Sequence, residues 1–559
     1  MTLFRNLVLA AALLVVAPAF GQLTSTLTGT VTSDGVGLPG VTVTISSPQM
    51  QGTRTAVTGD GGGYSFSAIP PGEYTVRFEL AGMQSSTRRV QIGVGQTGRA
   101  DAAMRVAAVA EAITVTAATP SVLETPTVSQ NISADFVEDL PIPRTVLATA
   151  LLAPGVNDST VSGSQLQISG GPGYDNLVLV NGVAITETIR RQALPLFIED
   201  AVQETTVMTG AVSAEYGGFT GGVVNTITKS GGNEFSGSLR DSFTNPAWTE
   251  PTPTQTSDNL DTLNEVYEAT LGGYILRDRL WFFAAGRDTE SSSLPLFTRI
   301  VPGDTTQTQF SRVSVSTERR LEGKLTAQIT PKHNIAGSYF DLSSKTTNNR
   351  FTTVSYDLEQ FTDREDPRDL TSIFYNGVLT NNLMLEARYS DMFYGIGWGG
   401  GSQFTDFVRG TIVRNLSDSV ARWNSPTFCG VCDKETRTND GWLVKANYFL
   451  STSGMGNHNL VAGVESFSEH RYANNYQSGS NFRFFVNGAT RVGEELYPRV
   501  NPGTNVIWGS PSSDSFLIYT PIFELQQNES DLQTDAFFIN DRWDLNQHWS
   551  FSLGARFDK

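Results

Sequence analysis

Residues 320–330, RLEGKLTAQIT, alternate without a break. Leu321, Gly323, Leu325, Ala327 and Ile329 share one face of an extended strand, and Glu322, Lys324, Thr326, Gln328 and Thr330 share the other. Successive side chains point to opposite sides of a pleated strand, so the segment has one apolar and one polar face. Phe551, Leu553, Ala555 and Phe557 likewise oppose Ser552, Gly554, Arg556 and Asp558, and Trp442, Val444, Ala446 and Tyr448 form another such face. From Phe235 onward the pattern is one of strands of about ten or more residues.

In a soluble sheet the apolar face would meet a core. In a transmembrane barrel it meets lipid, and the charged face lines a wet lumen. Connection lengths decide between the two. Very short turns recur at 277–279, 331–334, 381–382 and 546–548, and long polar segments alternate with them near 291–316, 347–367, 395–439 and 472–531. Outer-membrane barrels alternate in this way, with short periplasmic turns and long outer loops. Trp281, Tyr339, Tyr389, Trp442, Tyr448, Trp543 and Trp549 fall near strand ends, where interfacial girdles are expected. The pattern predicts about eleven strands between Phe235 and Asp558.

Composition narrows the function. The net charge of −17 excludes the basic footprint that a nucleic-acid partner requires. The chain has four histidines, His333, His458, His470 and His548, none in an HExxH arrangement or another ligand spacing, so no metal site, cofactor or enzyme chemistry is expected. Cys429 and Cys432, in FCGVCDK, are the only cysteines. In an oxidising compartment a local disulfide pinning a loop suits them, since the strand-to-helix context of a redox motif and the further ligands of a zinc site are lacking. Residues 1–21 carry Arg5, the apolar run Leu7–Val16 and Ala19-Phe20-Gly21, the pattern of a secretory signal with Gln22 as the first mature residue. The alternative is an N-terminal anchor, but the apolar run ends at Pro18 and is too short to span a bilayer as a helix.

Residues 22–105 read as short strands and turns. Tyr64 and Phe66 share one face, and Tyr74, Val76 and Phe78 share another across a Pro70-Pro71-Gly72 reversal. The spacing predicts a β-sandwich. Gly40-Val41-Thr42-Val43, Thr58-Gly59-Asp60, Gly63-Tyr64-Ser65-Phe66 and Pro71-Gly72-Glu73-Tyr74 resemble a carboxypeptidase-regulatory-like domain. That resemblance implies an accessory or carbohydrate-binding-like module, or a passive structural extension, and not a peptidase.

A linker, 106–119, follows and contains the alternating peptide Glu111-Ala112-Ile113-Thr114-Val115-Thr116-Ala117. Residues 120–232 then carry Leu140-Pro141 with Arg144, Pro154-Gly155-Val156, Ile168-Ser169-Gly170 and Leu179-Val180-Asn181-Gly182-Val183. They end in EDAVQETTVMTGAVSAEYGGFTGGVVNTITKSGG, with Glu215, Tyr216, Gly221, Gly222 and Asn225. In this order these segments resemble the plug of TonB-dependent outer-membrane receptors, and with the N-terminal module the chain resembles the Oar-like receptors among them. Asn181 stands where the family commonly has Asp; both suit a tight turn.

The resemblance implies a mainly β protein: an N-terminal β-sandwich, an α+β plug and the N-terminal half of a 22-stranded antiparallel transmembrane β-barrel, 233–559. About eleven strands is half that number, so the chain is expected to be a fragment of a longer protein. The resemblance further implies that 111–117 is a TonB box, which works by strand addition. The implied partners are TonB with its inner-membrane motor complex, outer-membrane lipid and lipopolysaccharide, and an extracellular ligand. The implied place is the outer membrane of a Gram-negative bacterium, with the N-terminal domain periplasmic. The implied task is energised uptake of a siderophore, oligopeptide or oligosaccharide. Adhesion or signalling on the same scaffold, and a SusC-like glycan importer, are the alternatives. Acidic loop residues Asp363, Glu365, Asp366 and Asp369 are read either as cation binders or as solvated charge beside Arg364 and Arg368.

Overall fold

The computed structural model describes residues 25–106 and 128–559 apart from internal stretches, the longest at 398–411, 424–434 and 499–516. The signal segment, the peptide Glu111–Ala117 and the Cys429/Cys432 pair lie outside the described residues.

Residues 25–106 form two facing sheets. Strand Ser25–Ser33 pairs Gly63–Ile69 in one, and Thr53–Val57, Thr42–Ser46, Gly72–Glu79 and Ser86–Ile92 follow in that order in the other. The alternation read from the sequence places Leu27, Ile45, Tyr64, Phe66, Tyr74, Val76 and Phe78 in one buried core. Tyr64 meets Phe66 and Phe78 edge-on at centroid distances of 5.9 and 5.7 Å, the arrangement that ring quadrupoles favour.

The plug is a mixed sheet with two short helices. Strand β1 (Val128–Ser133) pairs β4 (Val202–Gly210), which pairs β5 (Val223–Thr228). Strand β2 (Leu177–Val180) runs parallel to β5 and turns back into β3 (Val183–Ala184). Helix α1 (Ala134–Glu138) is capped by Ser133, whose Oγ accepts from Phe136 N at 3.3 Å. Helix α2 (Val146–Ala150) is capped by Thr145, which accepts from Ala148 N at 3.1 Å. Both caps satisfy amide groups that a helix start leaves without an intrahelical partner.

Among the described residues, eleven long strands then run in consecutive antiparallel order. They are β6 (Ser236–Thr244), β7 (Asn264–Leu276), β8 (Leu280–Ser293), β9 (Ser314–Thr330), β10 (His333–Asn349), β11 (Arg368–Val378), β12 (Leu383–Ile396), β13 (Glu435–Thr452), β14 (Gly456–Tyr472), β15 (Glu529–Asp544) and β16 (Ser550–Asp558). The number agrees with the sequence reading. Short connections at 277–279, 331–332, 379–382, 453–455 and 545–549 alternate with long ones, including one at 245–263 that the alternation pattern did not show.

This sheet is inside out relative to a soluble one. On β9, Arg320, Glu322, Lys324 and Thr326 are buried, while Leu325 is 53% exposed. Outward-facing Tyr339, Tyr389, Trp442, Tyr448 and Trp549 are likewise exposed. No helix among the described residues is long and apolar enough to cross a membrane.

Two expectations change. Trp281 belongs to no girdle: it points inward, is 0% exposed, and donates from Nε1 to Asn233 Oδ1 at 2.8 Å. It braces the point where the plug passes into the barrel. The inner face is also not polar throughout, because Phe340, Leu342, Leu370, Phe374, Met392 and Tyr394 point inward and pack on Leu194, Leu196 and Phe197 of the plug. Packed protein fills the lumen there, so an apolar inner wall carries no hydration penalty.

Candidate functional site

Inward-facing charges of the barrel meet the plug in separate groups. The first surrounds Glu199 and Asp200, which open a 3₁₀ turn (Glu199–Ala201) just before β4. Arg287 reaches Glu199 at 2.5 Å and Arg320 lies 3.8 Å from it. Arg320 also donates to the Phe197 carbonyl at 2.7 Å. Arg240 is 3.0 Å from Asp200 and pairs with buried Glu268 of the wall. Arg144 of the plug lies 3.7 Å from Asp200 and 3.8 Å from Glu138.

The second group forms on Glu215. Lys445 bridges it, at 3.0 Å, to Glu386 of β12 at 3.3 Å. Arg556 donates to the Glu215 carbonyl at 3.0 Å and to Glu465 at 2.9 Å. Arg388 lies 3.3 Å from Glu465 and also donates to the Gly182 carbonyl. A third contact joins Glu187 to Arg437, beside a hydrogen bond from Asn439 Nδ2 to the Thr186 carbonyl at 3.1 Å. In each group a plug carboxylate meets a cation of the wall, with Arg144 of the plug and Glu268, Glu386 and Glu465 of the wall joining the first two.

The turn Asn181-Gly182 connects β2 to β3 with φ of 48° and 77°, the left-handed pair that such two-residue hairpins need and that Asn-Gly supplies. Asn181 then clamps the end of β5: its Nδ2 donates to Thr228 Oγ1 at 3.0 Å, and its Oδ1 accepts from Thr228 N at 3.1 Å. Gly182 N donates to Asn225 Oδ1 at 3.1 Å. From the wall, Lys324 donates to the Thr228 carbonyl at 2.9 Å and sits 3.5 Å from Asn181 Oδ1. Gly221 and Gly222 let the chain pass against Asn176 and Ile168, where any β-carbon would collide. Tyr216 is half-buried, and desolvation followed by the neighbouring Glu215 raises its phenol above the ordinary range.

The residues singled out in the sequence thus fall at distinct places. Arg144 joins the first ionic group, Glu215 and Tyr216 lie at the second, and Asn181, Gly182 and Asn225 converge on one turn. Gly221 and Gly222 lead into β5. Glu187, Glu199, Asp200 and Asn176 were not singled out. The available signal was on the barrel side, where Arg320, Glu322 and Lys324 follow each other on the polar face of one strand. The loop acids pair locally: Asp363 and Glu365 with Lys345, and Asp366 with Arg364 at 2.8 Å.

Taking these charges out of water roughly cancels their attraction, so such pairs fix geometry more than they add net stability. Groups that separate regain hydration. A plug seated this way is held in register.

Comparison with known proteins is consistent with this architecture. Residues 26–105 match the carboxypeptidase regulatory-like domain family, and residues 121–224 match the TonB-dependent receptor plug domain family. Over 302 residues, 50% of this chain, the sequence is 34% identical to the TonB-dependent transporter Oar of Myxococcus xanthus. In these segments the chain is similar to the Oar-like TonB-dependent receptors. Such receptors are β-barrels of the Gram-negative outer membrane. The fold is also that of the outer membrane transporter YddB of Escherichia coli, with a TM-score of 0.53 at 12% identity over 77% of this chain and 56% of that one. A mutant of the ferric enterobactin receptor PfeA of Pseudomonas aeruginosa gives a TM-score of 0.51 at 16% identity over 77% of this chain and 58% of that one. The matched region is 28% of the length of Oar.

Proposed function

We propose that this receptor takes up a large, scarce ligand across the outer membrane, driven by TonB acting on residues 111–117. The observation that carries the reading is the ionic seat of the plug: Glu199, Asp200 and Glu215 engage Arg240, Arg287, Arg320 and Lys445 of the wall. A fixed structural partition would be better served by apolar packing, whereas paired charges can exchange for water as the plug shifts. The ligand belongs to the siderophore, oligopeptide or oligosaccharide class and binds on the long-loop side. The task is mechanical and needs no covalent step. The segment assignment is a signal at 1–21, a periplasmic sandwich at 22–105, a linker with the TonB box at 106–119, a plug at 120–232 and barrel strands at 233–559.

The test is uptake of labelled ferric siderophores, peptides and glycans by cells carrying the receptor with or without residues 111–117. Loss of uptake on deletion supports the mechanism. Uptake unchanged by the deletion refutes it and favours a surface adhesion or signalling role for the scaffold.

A further inference from the structure

We infer that the N-terminal sandwich docks on the short-turn rim of its own barrel, so that the segment carrying residues 111–117 is held at both ends. The contact surface is the glycine loop before strand Gly63–Ile69, the start of that strand, and the ends of Ser25–Ser33 and Thr97–Arg99. Its partner surface is the rim where β13, β14 and β15 end or begin. Asn457 Nδ2 donates to Thr30 Oγ1 at 3.3 Å, and Arg99 lies 3.5 Å from Asp544. Between these two contacts the backbones nearly touch. A β-carbon on Gly61 would stand 3.0 Å from the Thr452 carbonyl and 3.2 Å from Ser451 Oγ, and one on Gly63 would collide with Asn457 and Ser451. Gly61 lets the loop meet the Thr452 backbone and Gly63 leaves room for the Asn457 and Ser451 side chains, a fit that a domain swinging freely on a linker would not require.

Docking fixes Val106 on one side of the segment, while β1 fixes Val128 on the other. Only four residues, 107–110, then separate Val106 from residue 111, and the five steps between them reach roughly 17 Å when extended. On the reading of 111–117 as the TonB box, a protein pairing with it works beside the sandwich, and tension reaches the plug through the longer arm while the shorter arm is anchored to the rim.

Gly59 offers a direct test, because a β-carbon there would lie 3.5 Å from Ser451 Cβ, within disulfide range. Gly59→Cys/Ser451→Cys is made in the full chain with Cys429→Ser and Cys432→Ser, and oxidised in outer-membrane fragments. The expected result is an intramolecular disulfide forming at least about tenfold faster than in a Glu79→Cys/Ser451→Cys control on the other sheet. Adding Gly63→Leu should remove that advantage, with protease resistance of the sandwich showing that it still folds. Equal rates in the two pairs, or an advantage that survives Gly63→Leu in a folded domain, would overturn the docking. Neither outcome depends on TonB or on the transported ligand.

Discussion

Asn181 does two jobs that few residues combine. It sits in the left-handed region and its side-chain amide bridges β2 to the end of β5. Asn181→Ala loses both buried hydrogen bonds and strains the turn, a cost of about 2–4 kcal/mol. Asn181→Asp keeps the acceptor and the turn preference, with Lys324 at 3.5 Å, and should stay much nearer to the wild type. Hydrogen exchange of 177–184 and 223–228 distinguishes the two: protection falls in the alanine variant and persists in the aspartate variant. The Asn-Gly turn was legible in the sequence. Its partners were not, because Thr228 and Lys324 are distant in the chain and only the fold brings them to it. In the N-terminal sandwich, burial raises the phenols of Tyr64 and Tyr74 above their ordinary value of 10.0. Below that value both states keep the proton and nothing changes. Above it the unfolded chain releases protons that the folded core retains, so stability falls as pH rises. Limited proteolysis at increasing pH should show residues 25–106 giving way above about pH 10, later in Tyr74→Phe than in the wild type.

At the scale of the strand, period-two alternation told lipid face from lumen face because each face meets one solvent along much of its length. Leu325 faces outward at the middle of β9, so Leu325→Arg should cost about 2–4 kcal/mol. Folding measured by heat-modifiable mobility should show that loss. Alternation failed where the inner face meets neither lipid nor water. Phe340, Leu342 and Leu370 point at the plug, and their apolar character reports packing against Leu194, Leu196 and Phe197. Trp281 was misplaced for the same reason, since its neighbour is Asn233 of the chain leaving the plug. The ionic seat also belongs to this scale. Glu199→Gln with Asp200→Asn leaves Arg240, Arg287 and Arg320 without their plug carboxylates, and removing one side of such buried pairs costs about 3–5 kcal/mol. The plug should then become protease-sensitive at lower urea while the barrel strands keep their resistance. Arg287→Met together with Glu199→Met should restore part of the difference, as replacement of both partners does in buried pairs.

For the molecule as a whole, the order of modules was readable because each has its own local pattern: aromatic alternation in the sandwich, glycine-dense turns in the plug, and long two-faced strands in the barrel. How the modules touch was not, since the contacts rest on glycines and single side chains such as Arg99, Asp544 and Asn457, which carry no periodic signal. The central claim is that TonB pulls on residues 111–117 to move a plug held by exchangeable charges. Single cysteines at each position from Glu111 to Ala117, paired with cysteines in the TonB C-terminal domain and oxidised in cells, test it most directly. Strand addition predicts disulfides strongest at every second position of the peptide, absent from cysteines placed on the lipid face of β9. No disulfide anywhere in 111–117, with TonB and the receptor both present and folded, would contradict the account.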